Sequence, residues 1–417
     1  MQTKTAHAQT TAVPAADTIK MDAQQAEKTF LDHNLQLLAE HYNIQSAQAL
    51  VEQARKWDNP TLMTDQNIYA NHAFMRHGKD ASGNEQGEVF AQVQQLIKTA
   101  GKRGKQIDMA RTNVKLAEWQ FQGVMRSLRA TLLRDFYTVA NLQGKAQLYS
   151  ENMERLNKLL MAQDAALKAG NIARKEYLRV QALIVSLEHD ITENAKDLND
   201  AQSELKTLLQ ITGNKFVQPV TEETERAAIP EMGILQITDS ARHNNPDYQQ
   251  EVYQLQYNKE NLRLQKALSV PDLTVSPEFD QAANYAPNYF GLSLSLPLPI
   301  LDRNQGNIHS AGFQVKQEEA LLEQADQKLQ NDVLNAWQKL VMTARLTSPS
   351  NTQFYKDYYQ LQKNIVESYN NRQISLLEFL EYFSDYADIR EKELDQTLNL
   401  RLAKQELNET VGTDVAK

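Results

Sequence analysis

The chain has 417 residues, a net charge of −9, no cysteine and 41% hydrophobic residues. The missing cysteine excludes disulfides, thiolate metal sites and cysteine nucleophiles, and the scattered basic residues leave no footprint for nucleic acid. No apolar run reaches the roughly 18 residues of a membrane-spanning helix, which does not exclude a barrel, whose strands need only about ten alternating residues.

Residues 1–20 are rich in Thr, Ala and Gln and are expected to be unstructured. Ala6-His7-Ala8 before Gln9 has the small-x-small form of a signal-peptidase site, without the apolar stretch that precedes one. From Met21 to about Arg55 apolar positions fall three and four apart, which predicts a helix, and Asn59-Pro60 stops it. Two strand-like stretches follow, at about 61–70 and 88–97, separated by a polar loop from Ala70 to Gly87. A turn at Gly101-Lys102-Arg103-Gly104 leads into Lys105–Ala169, almost entirely helix formers. At about 1.5 Å per residue this helix would span roughly 100 Å. Gly144 is its one weak point. Gly170-Asn171 marks a turn, and helix resumes from Ala173 to about Leu209.

Residues 212–233, with Pro219, the acidic run Thr221–Glu225 and Pro230, form a connector. Beyond it the chain repeats itself. Asn34, Pro60 and Leu62 recur as Asn245, Pro271 and Leu273, a shift of 211; Ile107, Ala110, Val114, Lys115 and Glu118 recur as Ile308, Ala311, Val315, Lys316 and Glu319, a shift of 201. Ile172, Glu176 and Leu178 recur as Ile374, Glu378 and Leu380, a shift of 202. Residues 21–211 and 234–412 are therefore two copies of one half, followed by a tail at 413–417. The second copy predicts a helix from Ile234 to Leu268, strands at about 272–280 and 289–300, and a turn at Asp302-Arg303-Asn304-Gln305-Gly306. A helix to about Ala344, a break at Ser348-Pro349-Ser350, a helix to Asn370 and a last helix to about Thr410 complete it. Pro349 lies near the place where Gly144 maps, so both copies are expected to interrupt their long helix at the same height.

In Leu292–Ile300 every even position is apolar and every odd one is Ser or Pro. Leu273, Val275 and Phe279 alternate with Thr274, Ser276 and Glu278. Four such strands cannot close a barrel, and an open sheet leaves its edges exposed. Several copies of the chain would remove those edges, and three copies would supply twelve strands.

The two copies of helix, strand, strand, helix, helix, the prolines opening strands at Pro60 and Pro271, and the two turn motifs resemble the TolC-type outer-membrane efflux factors over residues 21–412. Gly291–Ile300 with the turn after it, and Ile374-Ser375-Leu376-Leu377-Glu378-Phe379-Leu380, are similar to the heavy-metal branch, the CzcC and CusC type. The resemblance implies a mainly α fold with a small β part, in which each protomer gives long helical hairpins and four strands. A homotrimer would form a twelve-stranded transmembrane β-barrel continuous with a periplasmic helical tunnel. It also implies an outer-membrane duct that docks a periplasmic adaptor linked to an inner-membrane pump. Two departures stand out: the lipidated N-terminal cysteine of some metal-branch members is missing, and Asn371 stands where a glycine often forms the second helical tip, although Asn tolerates the left-handed conformation.

Glu378, Glu381, Asp385 and Asp388 are spaced 3, 4 and 3 apart, on one face of the last helix. In a threefold assembly they would stack rings of carboxylates that favour cations; otherwise they are a solvated face. The equivalent tip of the first copy is basic, with Arg174, Lys175 and Arg179, and Arg179 maps onto Glu381. These cations are candidates to pair with the carboxylates and hold an aperture shut. Gly170-Asn171-Ile172-Ala173 and Arg372-Gln373-Ile374-Ser375 occupy the tips where the resemblance places adaptor contacts, with Ile172 and Ile374 read as apolar side chains in need of burial. His72, Met75 and His77 read as incidental rather than as metal ligands. Lys98, Lys102 and Arg103 read as a membrane-proximal rim, and Trp119, Phe136 and Trp337 as packing residues. No catalytic triad, HExxH or nucleotide loop occurs, so no enzyme activity and no cofactor are expected. The alternative to a duct is a soluble, elongated coiled-coil scaffold or a periplasmic adaptor, which would normally have one helical hairpin flanked by compact β domains.

Overall fold

The computed structural model describes residues 17–70, 73–74, 78–79, 81–83, 85–221, 229–281, 286–346 and 349–416. In chain order the principal elements are β1 (Asp17–Met21), α1 (Ala23–His33), α2 (Leu35–Ala54), β2 (Thr61–Gln66) and β3 (Val89–Ile97), then α3 (Lys102–Lys168), α4 (Arg174–Leu208) and β4 (Lys215–Pro219). The second half adds α5 (Ile234–Asn244), α6 (Pro246–Leu268), β5 (Leu273–Asp280), β6 (Tyr289–Ser295), α7 (Gln305–Leu346), α8 (Pro349–Asn370) and α9 (Leu376–Val411). The signal-peptidase motif, His72, Met75 and His77, Ser348 and most of the acidic run lie outside the described residues.

The chain divides into two compact units. One unit, Glu40–Phe121 with Asp247–Asp326, contains a four-stranded antiparallel sheet in the order β6-β5-β3-β2. The central β3–β5 pair joins the two sequence copies. β6 ends at Ser295, before Pro297 and Pro299, because proline has no N–H to give to a ladder. Part of the Ala70–Gly87 stretch, read as loop, forms two short ladders, Tyr69–Ala70 with Ala73–Phe74 and Gly78–Lys79 with Glu85–Gln86.

Where the sheet meets its helices, Lys102 is 3% exposed and gives its ammonium to Asp272 Oδ1 and to the Val270 carbonyl, both at 2.6 Å. Asp272 also accepts from the Thr99 backbone N–H at 2.8 Å. The presumed basic rim is thus consumed inside the chain: Lys98 pairs with Asp58 at 3.2 Å, and Arg103 lies 4.0 Å from the centre of the Trp57 ring.

The other unit, Met1–Ala39, Gln122–Pro246 and Gln327–Lys417, packs helices around Phe30, Phe136, Leu205, Ile237 and Leu407, each fully buried. Each such side chain is worth roughly 1.5–3 kcal/mol on burial. Here the copies explain themselves chemically. The helix expected from Met21 to Arg55 is broken at Asn34, whose Oδ1 accepts the Gln36 and Leu37 backbone N–H groups at 3.0 and 3.1 Å, while its Nδ2 donates to the Leu208 carbonyl. Asn245 repeats the break, donating to the Thr410 carbonyl at 2.9 Å just before Pro246 starts α6. α4 and α9 each end with a left-handed residue, at Gln210 (φ 55°) and Gly412 (φ 83°).

Asp17–Met21, at the end of the supposed unstructured leader, pairs in parallel with β4 inside the supposed connector. Gln202 holds that pair from the side, exchanging bonds of 2.6 and 3.0 Å with the Val217 carbonyl and N–H. α3 runs unbroken through Gly144 for 67 residues, and the missing side chain there lets the Leu394 side chain of α9 come close; an added Cβ would lie 3.1 Å from it. The interruption at Pro349 therefore has no counterpart in the first copy.

Candidate functional site

The ends of the α3–α4 and α8–α9 hairpins carry most of the sequence candidates, all within one compact unit. At the first end the N–H of Asn171 reaches back to the Ala166 carbonyl at 2.9 Å and that of Gly170 to Leu167 at 3.0 Å, around Gly170 at φ 75°. This is the helix stop that glycine suits, since it satisfies orphan carbonyls with a left-handed residue. At the second end Gln373 bonds to Ser368 at 2.8 Å and Arg372 to Tyr369 at 3.0 Å, with Arg372 at φ 58°. The position equivalent to Gly170 is thus Arg372, not Asn371. A non-glycine residue held there stores roughly 1 kcal/mol of strain.

The next helices start differently. Ser375 and Glu378 form a reciprocal cap on α9: the carboxylate accepts from the Ser375 N–H at 2.8 Å and hydroxyl at 2.9 Å, and Ser375 Oγ accepts from the Glu378 N–H at 3.2 Å. Those hydrogen bonds hold the Glu378 carboxyl below the usual carboxylate range. On α4 the equivalent Ala173 offers no side-chain cap, although Glu176 stands where the partner carboxylate would be.

This revises the carboxylate stripe. Glu378, Glu381, Asp385 and Asp388 are all exposed on one side of α9, while Phe379, Leu380, Phe383 and Tyr386 are buried. Glu378, however, is a capping group, and Asp388 is paired with Lys392 one turn on. Glu381 and Asp385 remain as the carboxylates of that face with neither a capping role nor an ion pair among the described residues. Arg174, Lys175 and Arg179 are exposed on α4. Within one chain none of them lies in ion-pair contact with Glu378, Glu381 or Asp385 among the described residues. Arg179 and Glu381 do line one open groove of about 570 Å³, together with Ala182, Leu183, Ser186, Leu377 and Leu380.

Ile172 and Ile374 are half-buried rather than exposed, and Ile374 packs against the cluster of Leu156, Val180, Phe379 and Phe383. The isoleucines therefore find much of their burial inside the chain. The exposed apolar side chains near the tips are instead Leu178, 47% exposed, and Leu377, 53% exposed. Their signal was available: each departs from the buried three-and-four spacing of its helix.

The sheet is the second candidate region. Leu62, Val93, Phe290, Leu292 and Leu294 are exposed, Leu292 by 65%, whereas Gln92 and Ser276 are 8% and 4% exposed. The polar face is tied together, with Gln92 Nε2 donating to Glu278 at 2.7 Å and Gln94 Nε2 to Gln92 at 2.6 Å. Grease outside and amides inside is the reverse of a sheet in water. No helix of the described residues is long and apolar enough to cross a membrane. No cluster of three or more metal-ligating side chains occurs among the described residues.

The duplicated helical-hairpin fold has counterparts among known proteins. The outer membrane efflux protein family model matches residues 28–210 and 237–413, and the chain belongs to that family. It is 25% identical over 221 residues to the cobalt-zinc-cadmium resistance protein CzcC of Cupriavidus metallidurans, an alignment spanning 53% of this chain and 52% of that one. Its fold is similar to the crystal structure of CusC, with a TM-score of 0.75, 16% identity and coverage of 94% of this chain and 92% of that one. It is also similar to the Campylobacter jejuni CmeC outer membrane channel, with a TM-score of 0.76, 13% identity and coverage of 94% and 86%. The Neisseria gonorrhoeae MtrE channel, captured in an open state, gives 0.73 at 15% identity, with coverage of 94% and 89%.

Proposed function

We propose that this protein is the outer-membrane duct of a tripartite exporter, in which three copies close a twelve-stranded barrel in lipid. The long helices line a periplasmic tunnel, a periplasmic adaptor docks at Gly170–Ala173 and Arg372–Ser375, and an inner-membrane pump supplies the energy. The observation that supports this reading is the inversion of the sheet. A soluble scaffold would turn Phe290, Leu292 and Leu294 inward; a lipid-facing wall turns them outward and keeps Gln92, Ser276 and Glu278 on the opposite, aqueous face. β2 and β6 are edge strands with unpaired backbone groups, which neighbouring copies would satisfy.

The likeness to CzcC favours metal cations as cargo. Rings of Glu381 and Asp385 would favour cations at the tunnel's narrow end, and Arg179 facing Glu381 from across the groove would counter them at rest. The decisive experiment is to purify the chain in mild detergent, determine its mass, and reconstitute it in planar bilayers. Trimer mass with discrete conductance steps supports the duct. A single-subunit particle that leaves bilayers silent refutes it.

A further inference from the structure

A cavity of about 390 Å³ opens between α3, α8 and α9. We propose that it is a binding site for a small aromatic carboxylate, whose ring enters the cavity and whose charge is held at the mouth by Arg155. The volume falls in the range of about 300–1,000 Å³ typical of sites that enclose small organic ligands.

The walls set the class of ligand. Tyr369, Phe379 and Phe383 form a run of rings with centroids 4.7 and 6.2 Å apart and planes inclined by only 32° and 29°. Such a run offers broad ring faces on which a planar molecule stacks. Two basic residues, Arg155 and Lys158, line the cavity, and no Asp or Glu among the described residues does. An anion is therefore the charge that this lining favours. Arg155, Lys158 and Ala162 are spaced three and four apart, so they share one face of α3.

The Arg155 fork is open. Among the described residues it donates no hydrogen bond: Glu151 stands 4.0 Å away, and the centre of the Tyr386 ring lies 5.9 Å away. The Arg155 side chain is 41% exposed, so a ligand can reach it, and every guanidinium nitrogen is a donor. A planar fork of donors matches a carboxylate with two parallel, charge-assisted bonds, whereas a neutral amide of the same shape offers it one oxygen and no charge. Lys158 is bonded to Glu154 at 2.6 Å, but the two side chains are 73% and 68% exposed, so water screens the pair and it is weakly held. Because α3 belongs to one hairpin and α8 and α9 to the other, an occupant touches both hairpins at once. The site rests on the geometry of one compact unit and stands whether or not the chain conducts.

2-Naphthoate and 2-naphthamide, alike in shape but not in charge, test the site by equilibrium dialysis of the full chain in detergent against matched protein-free micelles. The native protein is expected to bind one naphthoate per chain, saturably, and at least tenfold more tightly than naphthamide. Arg155→Gln should lower naphthoate affinity to the naphthamide level and leave naphthamide unchanged. Ala162→Trp, or Leu361→Trp should the first variant misfold, fills the cavity and should abolish binding of both. Equal affinities for the two probes in the native protein, naphthoate binding unaffected by Arg155→Gln, or binding undiminished in a correctly folded filled variant would overturn the proposal.

Discussion

At the scale of single residues, the backbone sets the firmest constraints. Gly412 is left-handed, and a Cβ there would lie 2.1 Å from the Asn244 carbonyl oxygen and 2.7 Å from the Asn245 nitrogen. Neither atom can yield, since Asn245 is anchored to Thr410. Gly412→Ala should therefore cost roughly 2–3 kcal/mol in denaturant unfolding. Gln210→Gly, at the equivalent turn of the first copy, should be neutral or mildly stabilising. Asp135 poses a different problem: it is buried, its Oδ2 has no partner, and desolvation, helped by Glu204, pushes its carboxyl up to about 6. An acid whose folded value lies above its unfolded one is penalised on ionising, so stability falls as pH rises from about 4 to 6 and stays lowered above that. Asp135→Asn should raise the melting temperature at pH 8 and change it little at pH 4. An equal gain at both values would show that charge is not the cause.

Among the elements, the two hairpins are unequal versions of one design. Both begin their return helix after a Schellman-type stop, yet only α9 has a serine to complete the cap with the glutamate at its third position. A missing cap is worth about 1 kcal/mol. Ser375→Ala should destabilise the second tip by about that amount and free Glu378, and Ala173→Ser should stabilise the first tip similarly by engaging Glu176. Amide exchange in the first turns of α4 and α9 measures both. The capping signature was readable in the sequence as Ser375-Leu376-Leu377-Glu378, but the same letters also fitted a stripe of lumen carboxylates. Periodicity reports which face a residue occupies, not whether its carboxylate is already hydrogen-bonded. Gly144 misled in the opposite sense, because a glycine inside a helix signals either a weak point or a close neighbour, and Leu394 lies 250 residues away.

For the whole molecule, Arg179 and Glu381 line the same groove, yet among the described residues they form no ion pair within one chain. If subunit contacts bring them together at rest, Arg179→Glu should raise single-channel conductance and cation preference, and a further Glu381→Arg should restore the native values. Exposed pairs contribute about 0–1 kcal/mol each, so a threefold ring is what makes the effect measurable. Conductance unaffected by the charge reversal would remove Arg179 from the aperture.

The amino-acid sequence by itself determined the duplication, the long helices, the strand pairs and the amphipathic alternation, since each depends on near neighbours or on spacing. It also led to the family through the order of those elements. Only the tertiary structure decided the β1–β4 pair and the Lys102–Asp272 latch, which unite residues about 170–200 positions apart. It likewise decided which carboxylates are free and which apolar tips are covered. These outcomes depend on which distant backbone group or side chain arrives at a given place, and no local pattern of residues encodes that.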